Sequence, residues 1–160
     1  MSSAFCAKVG VFVDAPAGFI SKAIENCGLD TLQFHGDESP KFCSQFGLKT
    51  IKAFRIRDAK TLEELPKYDT SAWLLDSFVA EKFGGTGTKF NWELAKAANE
   101  LGRPIILAGG LTPDNVAEAV RLVRPFAVDV SSGVESHPGR KAHAKIQAFI
   151  QAARKAMESH

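Results

Sequence analysis

The sequence has no apolar run approaching the ~18 residues of a membrane-spanning helix, so the 45% of its 160 residues that are hydrophobic are shared among the elements of a core. It has no charge bias either. Twenty lysines and arginines stand against 18 aspartates and glutamates, for a net charge of +2, and they are scattered along the chain. The clustered basic footprint of a nucleic-acid-binding surface is therefore missing. Cysteine is scarce and odd in number. Cys6, Cys27 and Cys43 form no C-x-x-C pair, which points to reduced thiols in a cytosolic protein rather than a disulfide framework or redox pair. Residues 1–10 carry no charged start, long apolar stretch or cleavage site of a secretory leader, and the cytoplasm is the expected location. His137 and His143 have no metal-ligand spacing with any cysteine or carboxylate set, so no metal is expected. A G-x-x-x-x-G-K-[ST] phosphate loop is absent, and the turn after the first strand reads Asp14-Ala15-Pro16 rather than G-x-G-x-x-G.

What is present is an alternation. Short β-branched or aromatic runs give way to longer stretches of helical period, six times over, within a length that suits one domain over 1–160. The expected strands are 9–14, 31–36, 50–56, 72–78, 104–108 and 126–130. Ser39-Pro40 reads as an N-cap followed by proline at the first helical position. Thr112-Pro113 opens a helix with Val116, Ala119, Val120 and Val123 turned inward. Strict strand–helix alternation predicts a parallel sheet with right-handed crossovers. Runs such as Trp73-Leu74-Leu75 suit strands buried on both faces.

A doubly wound sheet and a closed barrel share this pattern, and the polar residues separate them. His35-Gly36, Arg55, Asp76, Gly109-Gly110 and Ser131-Ser132-Gly133 fall at the carboxyl ends of five expected strands. A barrel assembles its site from many such ends, whereas a doubly wound sheet concentrates its ligand at one switch point. The fold expected is a parallel (β/α) barrel of the TIM type.

Gly109, Gly110, Ser132 and Gly133 lie in the last two strand–helix turns, where backbone amides can approach a phosphate and serine adds a hydroxyl. Ordinary turn glycines are the alternative. Asp76, at the mouth of an apolar strand, suits a general acid or base, or else a capping or salt-bridged carboxylate. Asp129 points into the mouth or forms a buried ion pair. His35 exchanges a proton or packs at its strand end, and Arg55 holds an anion or makes a surface salt bridge. Gly84-Gly85-Thr86-Gly87 reads as a flexible lid.

These segments together resemble phosphoribosylanthranilate isomerase. The matching words are Val9 to Asp14, Leu29-Asp30, Gln33 to Glu38, Leu75-Asp76-Ser77, Gly84 to Gly87, Ala108-Gly109-Gly110-Leu111 with Asn115-Val116, and Asp129 to Glu135 with Pro138-Gly139. The resemblance implies a (β/α)8 barrel that performs an Amadori rearrangement, aminoaldose to aminoketose, with no metal or organic cofactor. It implies that Asp76 is the acid that protonates the furanose ring oxygen. It places phosphate at Gly109, Gly110, Ser132 and Gly133, with His35, Arg55 and Asp129 around a phosphorylated small-molecule substrate.

The departures are as informative. The family's Lys-Ile-Cys-Gly word, whose cysteine is the general base, and its Ser-Pro-Arg word, whose arginine faces the anthranilate carboxylate, are not in these 160 residues. The chain is expected to hold six of eight βα units, an incomplete barrel, with weak or no turnover alone. Open strand edges at 9–13 and 126–130 are expected to pair with a second copy or with a complementary N-terminal fragment. Two other readings stay open: a phosphate-ligand binding module, and a barrel fragment with no function of its own.

Overall fold

The structure is a computed structural model that describes residues 6–76 and 87–158, the side chains of 87–91 apart. Six strands alternate with helices: β1 (Val9–Phe12), α1 (Ala17–Cys27), β2 (Thr31–Phe34), α2 (Pro40–Cys43), β3 (Lys49–Arg55), α3 (Ala59–Glu64), β4 (Ala72–Asp76), α4 (Gly87–Ala98), β5 (Ile105–Ala108), α5 (Val116–Val123) and β6 (Ala127–Val128). The sheet order is β1-β2-β3-β4-β5-β6, and every neighbouring pair is parallel. That order never reverses, as it must at the switch point of a doubly wound sheet. The six strands form a curled, incomplete barrel.

Strand parity decides what each side chain meets, because successive residues face opposite sides of a sheet. Trp73, Leu75, Ile105 and Leu107 pack outward on Trp92, Val116, Val120 and Phe149 of the helical layer. Leu32 and Phe34 do the same against Ile20 and Cys43. On the opposite face Ala53, Leu74 and Ala108 form a small inner cluster with Ile51 and Ile106. Carried to the strand ends, the inner parity delivers Arg55 after Ala53 and Asp76 after Leu74. One residue past the strand end it delivers His35 after β2 and Asp129 after β6. The apolar pattern that builds the core therefore also aims the polar groups.

Local chemistry sets the boundaries. Ser39 Oγ accepts from the Phe42 N–H at 3.2 Å, with Pro40 at the first helical position, a cap whose loss costs about 1 kcal/mol. The helix expected from Thr112 begins only at Val116. The Asn115 side chain turns back, accepting from the Thr112 N–H at 2.8 Å and donating to the Gly110 carbonyl at 3.0 Å. Five of the expected strands extend beyond the observed ones, and end residues such as His35, Ile56 and Asp129 still donate a backbone N–H to the neighbouring strand. A two-stranded hairpin, β7 (Glu135–His137) and β8 (Arg140–Lys141), precedes α6 (His143–Glu158) and was not anticipated. Its strands are too short to show a period. Of the expected lid, 84–86 lies outside the described residues, as do Ser77 and Phe78, and Gly87 begins α4. Among the described residues no helix is long and apolar enough to cross a membrane.

Candidate active site

At the carboxyl ends of the strands a cavity of about 250 Å³ is lined by His35, Asp76, Asp129 and both glycine-bearing turns, Gly109-Gly110 and Ser131-Ser132-Gly133. Arg55 stands next door, in a wider cleft of about 710 Å³ shared with His35, Lys52 and Arg57. His35 borders both. The expected site residues thus fall into two adjoining spaces, with Arg55 confined to the second and His35 shared between them.

Asp76 closes β4 and sits between Arg55 of β3 and Ala108 of β5 in the sheet register. Its carbonyl accepts from the Ile56 N–H at 3.1 Å, which fixes the main chain beneath the carboxyl group. His35 Nε2 lies 3.8 Å from Asp76 Oδ2, and both side chains are about one-quarter exposed, at 27% and 24%. This is an electrostatic contact too long for a hydrogen bond. On the other side of the ring, Gln33 Nε2 lies 3.3 Å from His35 Nδ1. A Gln33 amide that donates there leaves the imidazole proton on Nε2, facing Asp76. Asp129 is exposed, which excludes the buried ion pair considered from the sequence. Its N–H donates to the Leu107 carbonyl at 2.8 Å.

The two turns are built differently. Gly109 and Gly110 have φ of 85° and 63°, in the left-handed region that side chains avoid. Gly133 is required for another reason: its α-carbon faces the Leu111 carbonyl so closely that a Cβ would overlap the oxygen. The two turns are therefore in direct contact. Lys141 braces the second turn, donating to the Ser131 carbonyl at 2.9 Å, to Ser131 Oγ at 3.3 Å and to Glu135 Oε1 at 2.7 Å. The Lys141 hydrogen bond holds the Glu135 carboxyl below its ordinary value.

Sequence reasoning missed a buried pair behind His35. Lys52 and Glu38 are almost fully buried, 3.3 Å apart. Glu38 ends the Gln33 to Glu38 segment and Lys52 precedes Arg55 by three residues, but nothing in the local pattern says that the two meet. Cys43 also lies there, its thiol pushed up to about 11, chiefly by burial, with Lys52 pulling back and Glu38 adding to the rise. Cys6 and Cys27 are exposed. Both precede strands, at the end of the sheet opposite the mouth. His137 and His143 are exposed, and no group of three metal-ligating side chains occurs among the described residues.

Comparison with known proteins agrees with this geometry. The family model for N-(5'phosphoribosyl)anthranilate (PRA) isomerase matches residues 1–152. N-(5'-phosphoribosyl)anthranilate isomerase of Moorella thermoacetica is 52% identical over 157 residues, covering 98% of this chain and 70% of the relative. That of Geobacter metallireducens is 49% identical over 150 residues, covering 94% and 74%. The crystal structure of phosphoribosyl anthranilate isomerase from Thermotoga maritima superposes with a TM-score of 0.84 at 37% identity, covering 94% of this chain and 74% of that one.

Proposed function

Since the chain belongs to the N-(5'-phosphoribosyl)anthranilate isomerase family, we propose that its mouth residues carry the acid step and the phosphate grip of that aldose-to-ketose rearrangement in tryptophan biosynthesis. The observation behind this reading is the single cavity that holds Asp76 beside two touching, glycine-bearing turns. Asp76 donates its proton to the furanose ring oxygen, the bond from that oxygen to C1 breaks, and the anilino nitrogen takes up the positive charge as an iminium. A base then removes the C2 proton, and the resulting enolamine tautomerises to the ketose. The phosphate, at the far end of the sugar, rests on the amides of Gly109, Gly110 and Gly133 and on Ser132. Oriented N–H dipoles favour an anion there. His35 and Asp129 flank the sugar, and Arg55 reaches an anionic group from the adjoining cleft.

The fit to a sugar phosphate is supported by a solved relative, 35% identical, in complex with reduced 1-(o-carboxyphenylamino)-1-deoxyribulose 5-phosphate. The base is not among the described thiols, because Cys43 is buried and protonated and the other two lie at the far end. In the family that role belongs to the Lys-Ile-Cys-Gly word.

The test joins these residues to the family's first two βα units and compares Asp76 with Asp76→Asn. A fall in kcat of about 10²–10⁴-fold, with inorganic phosphate still shifting the amide signals of 109–110 and 132–133, supports the assignment. An unchanged rate, or phosphate shifts located elsewhere, refutes it.

A further inference from the structure

We infer that Lys52 and Glu38 are positioning residues that hold the His35 imidazole opposite Asp76. Lys52 Nζ donates to the Gly36 carbonyl at 2.6 Å and the Phe34 carbonyl at 3.4 Å, the two residues that flank His35. Glu38 uses both carboxylate oxygens: Oε2 accepts from the Gly36 N–H at 2.9 Å and Oε1 from the Asp14 N–H at 2.9 Å. Lys52 Nζ also meets Glu38 Oε2 at 3.3 Å and the Ala53 carbonyl at 3.1 Å. The His35 N–H itself donates to the Phe12 carbonyl at 2.8 Å. The peptide groups on both sides of His35 are thus tied to β1 and β3.

The pair sits on the helical side of the sheet and does not touch the cavity that holds Asp76. Its surroundings explain how both charges stay in place. Tyr68 donates its hydroxyl to the Glu38 carbonyl at 3.1 Å, and the Phe54 and Tyr68 rings lie 5.5 and 5.8 Å from Lys52 Nζ. Burying two charges is a poor way to gain stability, since an apolar pair of similar size often does as well. It is an effective way to fix a turn, because each charged hydrogen bond has a direction. The significance for turnover rests on Asp76 as the acid. The geometric claim does not.

The experiment is a double-mutant comparison read by NMR on the full 160-residue chain at fixed pH. The change in the His35 ring ¹⁵N shifts on Asp76→Asn is measured in the parent and in K52M/E38Q. The expected result is a response reduced to about half or less in K52M/E38Q, with circular dichroism unchanged, as for groups that lose their coupling. A pair that serves stability alone lowers the melting temperature and leaves the response intact, which overturns the inference. If K52M/E38Q does not fold, the same comparison is made on E38Q, with the same two outcomes. The readout needs no turnover, so a failure of the isomerase assignment and a failure of this inference remain distinct.

Discussion

The bare α-carbon of Gly133 lies against the carbonyl of Leu111, so the turn after β6 rests on the turn after β5. A methyl group at position 133 has no room unless the turns part. Gly133→Ala is expected to cost about 1–3 kcal/mol, as overpacking does, and to weaken phosphate binding at least about tenfold, or 1.4 kcal/mol. Urea unfolding and a phosphate titration followed by amide shifts check the two effects separately. A variant that binds phosphate as tightly as the parent contradicts the contact's role.

The 160 residues alone are expected to turn over phosphoribosylanthranilate very weakly or not at all. Adding a segment that bears the Lys-Ile-Cys-Gly word, joined or in trans, is expected to raise the rate by at least about 10²-fold, the ordinary contribution of a general base. Steady-state fluorescence of the anthranilate moiety follows both. A full rate from the 160 residues by themselves removes the need for the missing base.

Much of the framework was legible because burial imposes two simple periods. Trp73-Leu74-Leu75 reads as a strand buried on both sides, and the same alternation places Arg55 and Asp76 on the inner face. His35 and Asp129 follow from strand ends in the same way. The Lys52–Glu38 pair was not legible, because a lysine between Ile51 and Ala53 looks like ordinary alternation and its partner comes from another turn. Gly133 stands out in the sequence for one reason and in the structure for another. Its sequence context suggests close approach by a ligand, whereas the nearest neighbour of its α-carbon is the chain itself. The start of α5 was misplaced because Asn115 uses its side chain to close the preceding turn rather than to cap the helix it begins.

The outer strands leave apolar surface uncovered. Val11 is 58% exposed on β1, Val13 just beyond it is 65% exposed, and Phe126 beside β6 is 71% exposed. We expect the 160-residue chain to self-associate as its concentration rises, by edge pairing of the kind open strands permit. Sedimentation velocity across a concentration series is the check, and Val11→Lys is expected to reduce the effect. A stable monomer at the highest concentration speaks against it.

The three thiols are expected to divide by burial. Cys6 and Cys27 react at once with a disulfide reagent, and Cys43 only on unfolding. The Cys43 thiol is held up to about 11, from an ordinary 9.0, mainly by burial. The folded chain therefore keeps a proton that the unfolded chain releases, so stability is intact below pH 9 and falls as pH rises toward 11. Tyr68, also raised by burial, adds to the same trend. Melting temperatures over that interval are expected to decline less steeply in Cys43→Ala.

Consecutive strands are neighbours throughout the sheet, and each of β2 to β6 delivers its own contribution to the mouth. Such a layout is modular. A gene splice at a helix-to-strand joint exchanges one functional group and its supporting helix while remaking only the ladders that flank the exchanged strand, so new specificities can be assembled by recombination one unit at a time.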